Sequence, residues 1–96
     1  TLLDRLRAAD AGARQELLTS SIEDHVLQLL NWSESKRKDL LRGFVAIGLD
    51  SLLAVDLQFR LQTELKFSLP PGTGLNQPTI GDLAEFLLSQ HPEFSV

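Results

Sequence analysis

The sequence predicts a small all-α domain, and three observations carry that prediction. Apolar residues recur at three- and four-residue spacing in two long segments and one shorter one, the period of a helix face. No segment alternates in the manner of a half-buried strand, and no hairpin dipeptide or internal repeat appears. At 96 residues the chain is long enough for one modest core and too short for a second domain.

In order, Leu2, Leu3 and Leu6 give residues 1–12 a short amphipathic pattern that Gly12 interrupts, which reads as a lead-in linker or short helix. From Ala13 to Leu30 the stripe Leu17, Leu18, Ile22, Val26, Leu29 and Leu30 predicts the first main helix. Asn31, Ser33 and Ser35 compete with helix backbone and favour turns, so a long connection follows, with one helical turn around Lys36 to Arg42. A loop of that length needs packing of its own, which Trp32, Phe44, Val45 and Ile47 can supply. The second main helix is expected over Ser51 to Lys66, capped by Asp50 or Ser51 and stopped by "SLPPGTG". Thr79, with Asp82 three residues on, predicts the start of a last helix that buries Ile80, Leu83, Ala84, Leu87 and also Phe86. Pro92 ends it near Gln90 and leaves residues 91–96 as a tail.

Composition removes whole classes of function. A formal charge of -4 argues against a nucleic-acid footprint. The one basic cluster, Lys36, Arg37, Lys38 and Arg42, lies beside Glu34 and Asp39 and reads as a solvated face. The chain has no cysteine, hence no disulfide framework, thiolate metal site or protein thiol for covalent chemistry. Asp4, Arg5, Arg7 and Asp10 interrupt the first residues where a signal peptide would be apolar, and no window is long enough to span a membrane. A soluble cytoplasmic protein is expected.

Ser51 draws attention because it opens the most apolar helix. It is not a hydrolase nucleophile: the Gly-x-Ser-x-Gly elbow is missing and no strand precedes it. His25 and His91 are single histidines of the packing or surface kind, no His or carboxylate set has metal-ligand spacing, and Gly72 with Gly74 reads as a turn. A helix N-terminus does stabilise a phosphate ester through its free N–H groups and dipole, although capping is the commoner reason for such a serine and on position alone is the better explanation. The helix that follows gathers Leu53, Ala54, Leu57, Leu61 and Leu65 on one face and Leu52, Val55 and Phe59 on the other, with Asp56, Arg60, Gln62 and Thr63 between. One stripe belongs to the core. The other is either covered by the long loop or kept for a partner.

The segment Gly48-Leu49-Asp50-Ser51-Leu52 resembles the attachment motif of acyl carrier proteins, and "GLDSLLAVDLQFRL" is similar to the version found in modular (type I) polyketide synthases. The likeness covers most of the chain, from "LLDRLRAADAGARQELL" through Phe44 and Gly48 to Leu69-Pro70, Pro78-Thr79 and Leu83-Ala84. Leu75-Asn76-Gln77 and Gln58-Phe59 depart from the usual pattern, and Leu49-Asp50 differs from the Gly-Gly-x-Ser of peptidyl carriers. The resemblance implies a four-helix carrier domain over residues 13–90, with a short third helix within Gly74 to Gln77. It implies that a phosphopantetheinyl transferase, using Mg²⁺ placed with help from Asp50, attaches 4'-phosphopantetheine from coenzyme A to Ser51, with Leu52 beside the arm. Polyketide intermediates would then ride on the arm as thioesters, and Leu52, Val55, Asp56 and Phe59 would meet ketosynthase, acyltransferase and other synthase domains. Such a domain is a monomeric carrier, with no catalytic activity, metal, nucleic acid or membrane partner of its own. The competing expectation is a helical docking domain whose Ser51 is only a helix cap.

Overall fold

The computed structural model describes residues 1–43, 46–69 and 78–94. The described residues form four α-helices and one 3₁₀ helix, with no strand among them: α1 Leu2–Ala8, α2 Ala11–Leu30, the 3₁₀ helix Glu34–Arg42, α3 Ser51–Leu65 and α4 Ile80–Gln90. The all-α prediction holds. The short helix expected within Gly74 to Gln77 lies outside the described residues, as do Phe44, Val45, Gly72 and Gly74. No helix of the described residues is long and apolar enough to cross a membrane.

Each α-helix starts on a side chain that satisfies an otherwise orphaned backbone donor. Thr1 accepts from the Asp4 N–H, Asp10 from Ala13, Asp50 from Leu53 and Thr79 from Asp82. Asp10 moves the first main helix two residues earlier than the Gly12 break suggested, because a carboxylate cap at 2.8 Å outweighs the modest cost of a glycine in the first turn. At the other ends, Asn31 and Lys66 adopt left-handed φ of 57° and 56° and close α2 and α3, so α3 stops at Leu65.

α2 is the hub, packed by α1, the 3₁₀ helix, α3 and α4. Its Leu18, Ile22, Val26 and Leu27 meet Ala54, Leu57, Leu61 and Leu65 of α3 and Ile80, Leu83, Ala84 and Leu87 of α4 in one buried cluster. Polar ties fix the arrangement: Gln15 Nε2 donates to the Gly81 carbonyl at 3.0 Å, and Arg14 Nε to the Leu6 carbonyl at 2.8 Å. Leu3 and Leu6 are buried too, so residues 2–8 pack as a helix on the domain and do not trail from it.

The connection after α2 is more ordered than a loop with one helical turn. Its nine-residue 3₁₀ helix repeats every three residues, so side chains three apart eclipse one another along three ridges. Arg37 and Leu40 lie on the ridge turned inward, Leu40 fully buried. Arg37 is bound by Glu23 at 3.0 Å, by Asp24 and by Glu34, which raises the guanidinium pKa, while the hydrogen bonds to Arg37 lower that of Glu34. One member of the basic cluster is therefore a tie between the connection and α2. After Gly43, whose φ of +96° and closeness to the Pro78 carbonyl leave no room for a Cβ, Ile47 and Leu49 are buried and carry the chain into α3.

The C-terminal residues after α4 fold back as well. His91 is buried, with Nε2 donating to the Leu65 carbonyl at 2.8 Å and Nδ1 accepting from the Glu93 N–H at 3.1 Å. Phe67 and Phe94 flank its ring at 4.6 and 4.8 Å between centroids. The Arg14 guanidinium lies 4.8 Å from the Phe94 ring centre, and Arg7 forms a two-pronged ion pair with Glu93 at 2.8 and 3.0 Å.

Candidate functional site

Gly48 shapes the approach to α3. Its φ of +82° is a conformation that L side chains rarely adopt, while a Cβ there would meet nothing within 4 Å, so the backbone alone demands glycine. The turn it permits drives Leu49 into the core and leaves Asp50 and Ser51 exposed.

The two residues then divide their tasks. Asp50 is the cap: its Oδ1 accepts the Leu53 N–H at 2.9 Å and its carbonyl accepts the Ala54 N–H at 2.9 Å. Ser51 is the first helical residue, and its hydroxyl bonds to none of the described residues. Leu53 and Ala54 N–H are thus occupied, whereas the Ser51 and Leu52 N–H groups of the first turn have no acceptor among the described residues. They point out of the helix beside the serine, at the positive end of the dipole of a fifteen-residue helix. A phosphate ester on Ser51 fits this position: the donors suit its charge and no described side chain covers it.

Beyond the serine, α3 separates its stripes as the sequence spacing requires. Ala54, Leu57, Leu61 and Leu65 are buried and Leu53 is half-buried, while Leu52, Val55 and Phe59 are 77%, 50% and 63% exposed. The described part of the long connection does not cover the second stripe. Asp56 lies beside it, paired within the helix to Arg60 at 3.3 Å, and Arg60 also reaches Gln28 of α2 at 3.1 Å.

Neither histidine addresses Ser51. His25 pairs with Glu64 and His91 bonds Leu65, both near the far end of α3, which thirteen helical residues place about 20 Å from the serine. The described residues contain no cluster of three or more His, Cys, Asp or Glu that could hold a metal ion. Sequence reasoning missed the burial of His91 and the inward role of Arg37. Glu34, three residues before Arg37, was a legible sign of the second; a lone histidine beyond a helix end gave no sign of the first.

A family model described as the phosphopantetheine attachment site matches residues 20–87. With more than half of its length matched, the chain belongs to that family: it is a carrier domain that takes a covalent 4'-phosphopantetheine and has no catalytic activity of its own. Its relatives are polyketide synthases. The chain is 35% identical over 94% of its length to the pikromycin polyketide synthase component PikAII of Streptomyces venezuelae. It is 33% identical over 96% to the phenolphthiocerol synthesis polyketide synthase type I Pks15/1 of Mycobacterium marinum, and 33% over 91% to the polyketide synthase GfsB of Streptomyces halstedii. It spans 2% of the first and third of these and 4% of the second. Each of the three is named as a polyketide synthase or a component of one. No solved structure matches it significantly.

Proposed function

We propose that Ser51 carries the phosphopantetheine and that the domain presents polyketide intermediates, held as thioesters, to the other domains of a synthase. One observation bears most of the weight: Asp50 performs the capping, so the exposed Ser51 hydroxyl is free to react beside two N–H donors that bond to none of the described residues. This also disfavours the docking-domain alternative, in which Ser51 would be the cap. When attached, the arm supplies the thiol that the chain itself lacks.

The chain's own residues hold and expose the attachment point. Asp50 keeps the first turn closed with one carboxylate oxygen, and the other would help a phosphopantetheinyl transferase hold its Mg²⁺. In the transfer, Ser51 Oγ forms a bond to the pantetheine-side phosphorus of coenzyme A, the bond to the bridging oxygen breaks, 3',5'-ADP leaves, and the hydroxyl proton passes to the transferase. Leu52, Val55 and Phe59, with Asp56 beside them, form the face that the transferase and then ketosynthase and acyltransferase domains contact. Tethering raises effective concentration at each partner, so the face needs only weak affinity. On the carrier reading the domain works in the cytoplasm and is a monomer when isolated. The carrier unit over 13–90 is best taken together with residues 1–12 and 91–94, whose Leu3, Leu6 and His91 are buried against it.

Intact mass measurement after incubation with a broad-specificity transferase, Mg²⁺ and coenzyme A tests the reading. One phosphopantetheinyl group is expected on the wild type and none on Ser51→Ala, with Ser20, Ser21, Ser33 and Ser35 as internal controls. Modification of the Ser51→Ala chain, or none of the wild type, would overturn it.

A further inference from the structure

Outside α3 the described residues expose one more large apolar side chain, Leu41, at 75%. A single exposed leucine needs no special cause. Its setting is what distinguishes it. Leu41 is on the 3₁₀ helix, on the same outward ridge as Lys38 one turn earlier, and Arg42 is its neighbour in sequence. It also forms the lip of a cleft of about 160 Å³ between the 3₁₀ helix, α2 and the start of α4, walled by Leu40, Ile80, Thr79 and Thr19. A cleft of that size suits one aliphatic side chain.

We propose that Lys38, Leu41 and Arg42 form a docking surface, separate from the α3 stripe, for a protein segment that presents a leucine or isoleucine flanked by carboxylates. Charge selects that occupant. The chain is acidic as a whole, yet its 3₁₀ helix holds four basic residues against two acidic ones. Arg37 is spent on Glu23, Asp24 and Glu34, and Lys36 stacks over Trp32 at 5.2 Å. Lys38 and Arg42 have no ion-pair partner among the described residues, and Glu23, the one carboxylate of the cleft wall, is already occupied by Arg37. The α3 stripe is bordered instead by Asp50 and Asp56, so the two surfaces prefer partners of opposite sign. Two free cations are too few for adhesion to an anionic membrane, which uses about four to eight, and a phosphate backbone has no use for an apolar cleft. The Arg37 clamp fixes the segment before any partner arrives, which lowers the ordering cost of binding.

The test uses the whole chain, ¹⁵N-labelled, with two synthetic amphipathic helical peptides that share a leucine stripe, one flanked by glutamates and the other by lysines. With the glutamate peptide, amide shifts are expected at residues 38–42 and 79–81, fading as salt is raised. Leu41→Ser should weaken that binding about tenfold, as loss of one buried aliphatic side chain does, with no change in melting temperature. Lys38→Glu with Arg42→Glu should abolish it and admit the lysine peptide. The Ser51→Ala chain should bind as the wild type does, so the result stands apart from the attachment reading. Shifts confined to α3, equal response to both peptides, no binding, or binding through this surface to phosphatidylserine vesicles in place of peptide would each overturn the proposal.

Discussion

The two ends of α3 are built to opposite purposes. At its N-terminal end a single capping hydrogen bond, from Leu53 to Asp50, holds a turn whose serine, leucine and aspartate all face outward. At its C-terminal end the Leu65 carbonyl is held by a buried histidine between two phenylalanines, and α1, α2 and the residues after α4 converge there through Arg7, Arg14 and Glu93. Gln62 accepts the Leu69 N–H at 2.7 Å and Gln58 donates to the Leu69 carbonyl at 3.2 Å, which adds the exit of α3 to the same end. Stability is concentrated where no chemistry is proposed. The reactive end is left accessible, as a residue that must enter several partners' active sites requires.

The contrast can be broken most completely at Ser51. Ser51→Ala should remove all modification and leave the melting temperature unchanged, measured by intact mass and thermal denaturation, since its hydroxyl bonds to no described residue. Next come the stripes of α3. Leu57→Ala or Leu61→Ala should cost about 2 to 5 kcal/mol, because both are buried in the cluster. Val55→Ala and Phe59→Ala should shift stability by no more than about 0.5 kcal/mol and yet slow loading by the transferase. If the four variants melt alike, the second stripe is core and the partner-face reading fails.

His91→Ala should cost about 1 to 3 kcal/mol, since it leaves the Leu65 carbonyl without its donor in a buried place. Asp50→Ala should cost about 1 kcal/mol, whereas Asp50→Asn, which still caps, should melt as the wild type does. Slow loading of the Asn variant with Mg²⁺ would assign the carboxylate a part in transfer; normal loading would reduce Asp50 to a cap. The smallest effect belongs to Glu93. The hydrogen bond from Arg7 lowers its pKa from the ordinary 4.5, so its contribution is fully present above that value and is lost as pH falls through the lower folded-state value. Arg7→Ala should flatten this acid-side fall in a melting series, its small cost showing at pH 7 and vanishing once Glu93 is protonated.

The main helices were legible because their burial follows the helical period and their caps are short polar side chains at the right places. Thr79 and Asp82 could be read directly, the cap of α3 only as Asp50 or Ser51, and the two stripes of α3 followed from the helical turn of its leucines. The serine was legible through its motif more than through physics, because a capping serine and an attachment serine occupy neighbouring positions. What the sequence concealed has physical reasons. Asp10 competed with Gly12 as the helix start, and glycine tolerates an early helical position at small cost. The 3₁₀ helix was legible only as one turn around Lys36 to Arg42, because a repeat of three does not follow the period of 3.6. His91 and Phe94 follow a helix end without any periodicity, and only the tertiary return to Leu65 reveals what they bind.

The three-residue repeat of the connection sets a strict rule on its length. Each residue there advances the chain by about 120°, so one residue inserted after Arg37 would rotate everything beyond it by a third of a turn. Asp39 would take the inward place of Leu40, bringing a charge towards the core, and Lys38 and Leu41 would turn together away from their outward position. Substitution at the outward positions can change the character of this surface freely. Insertion and deletion cannot, except in steps of three, so this stretch should vary in composition far more readily than in length.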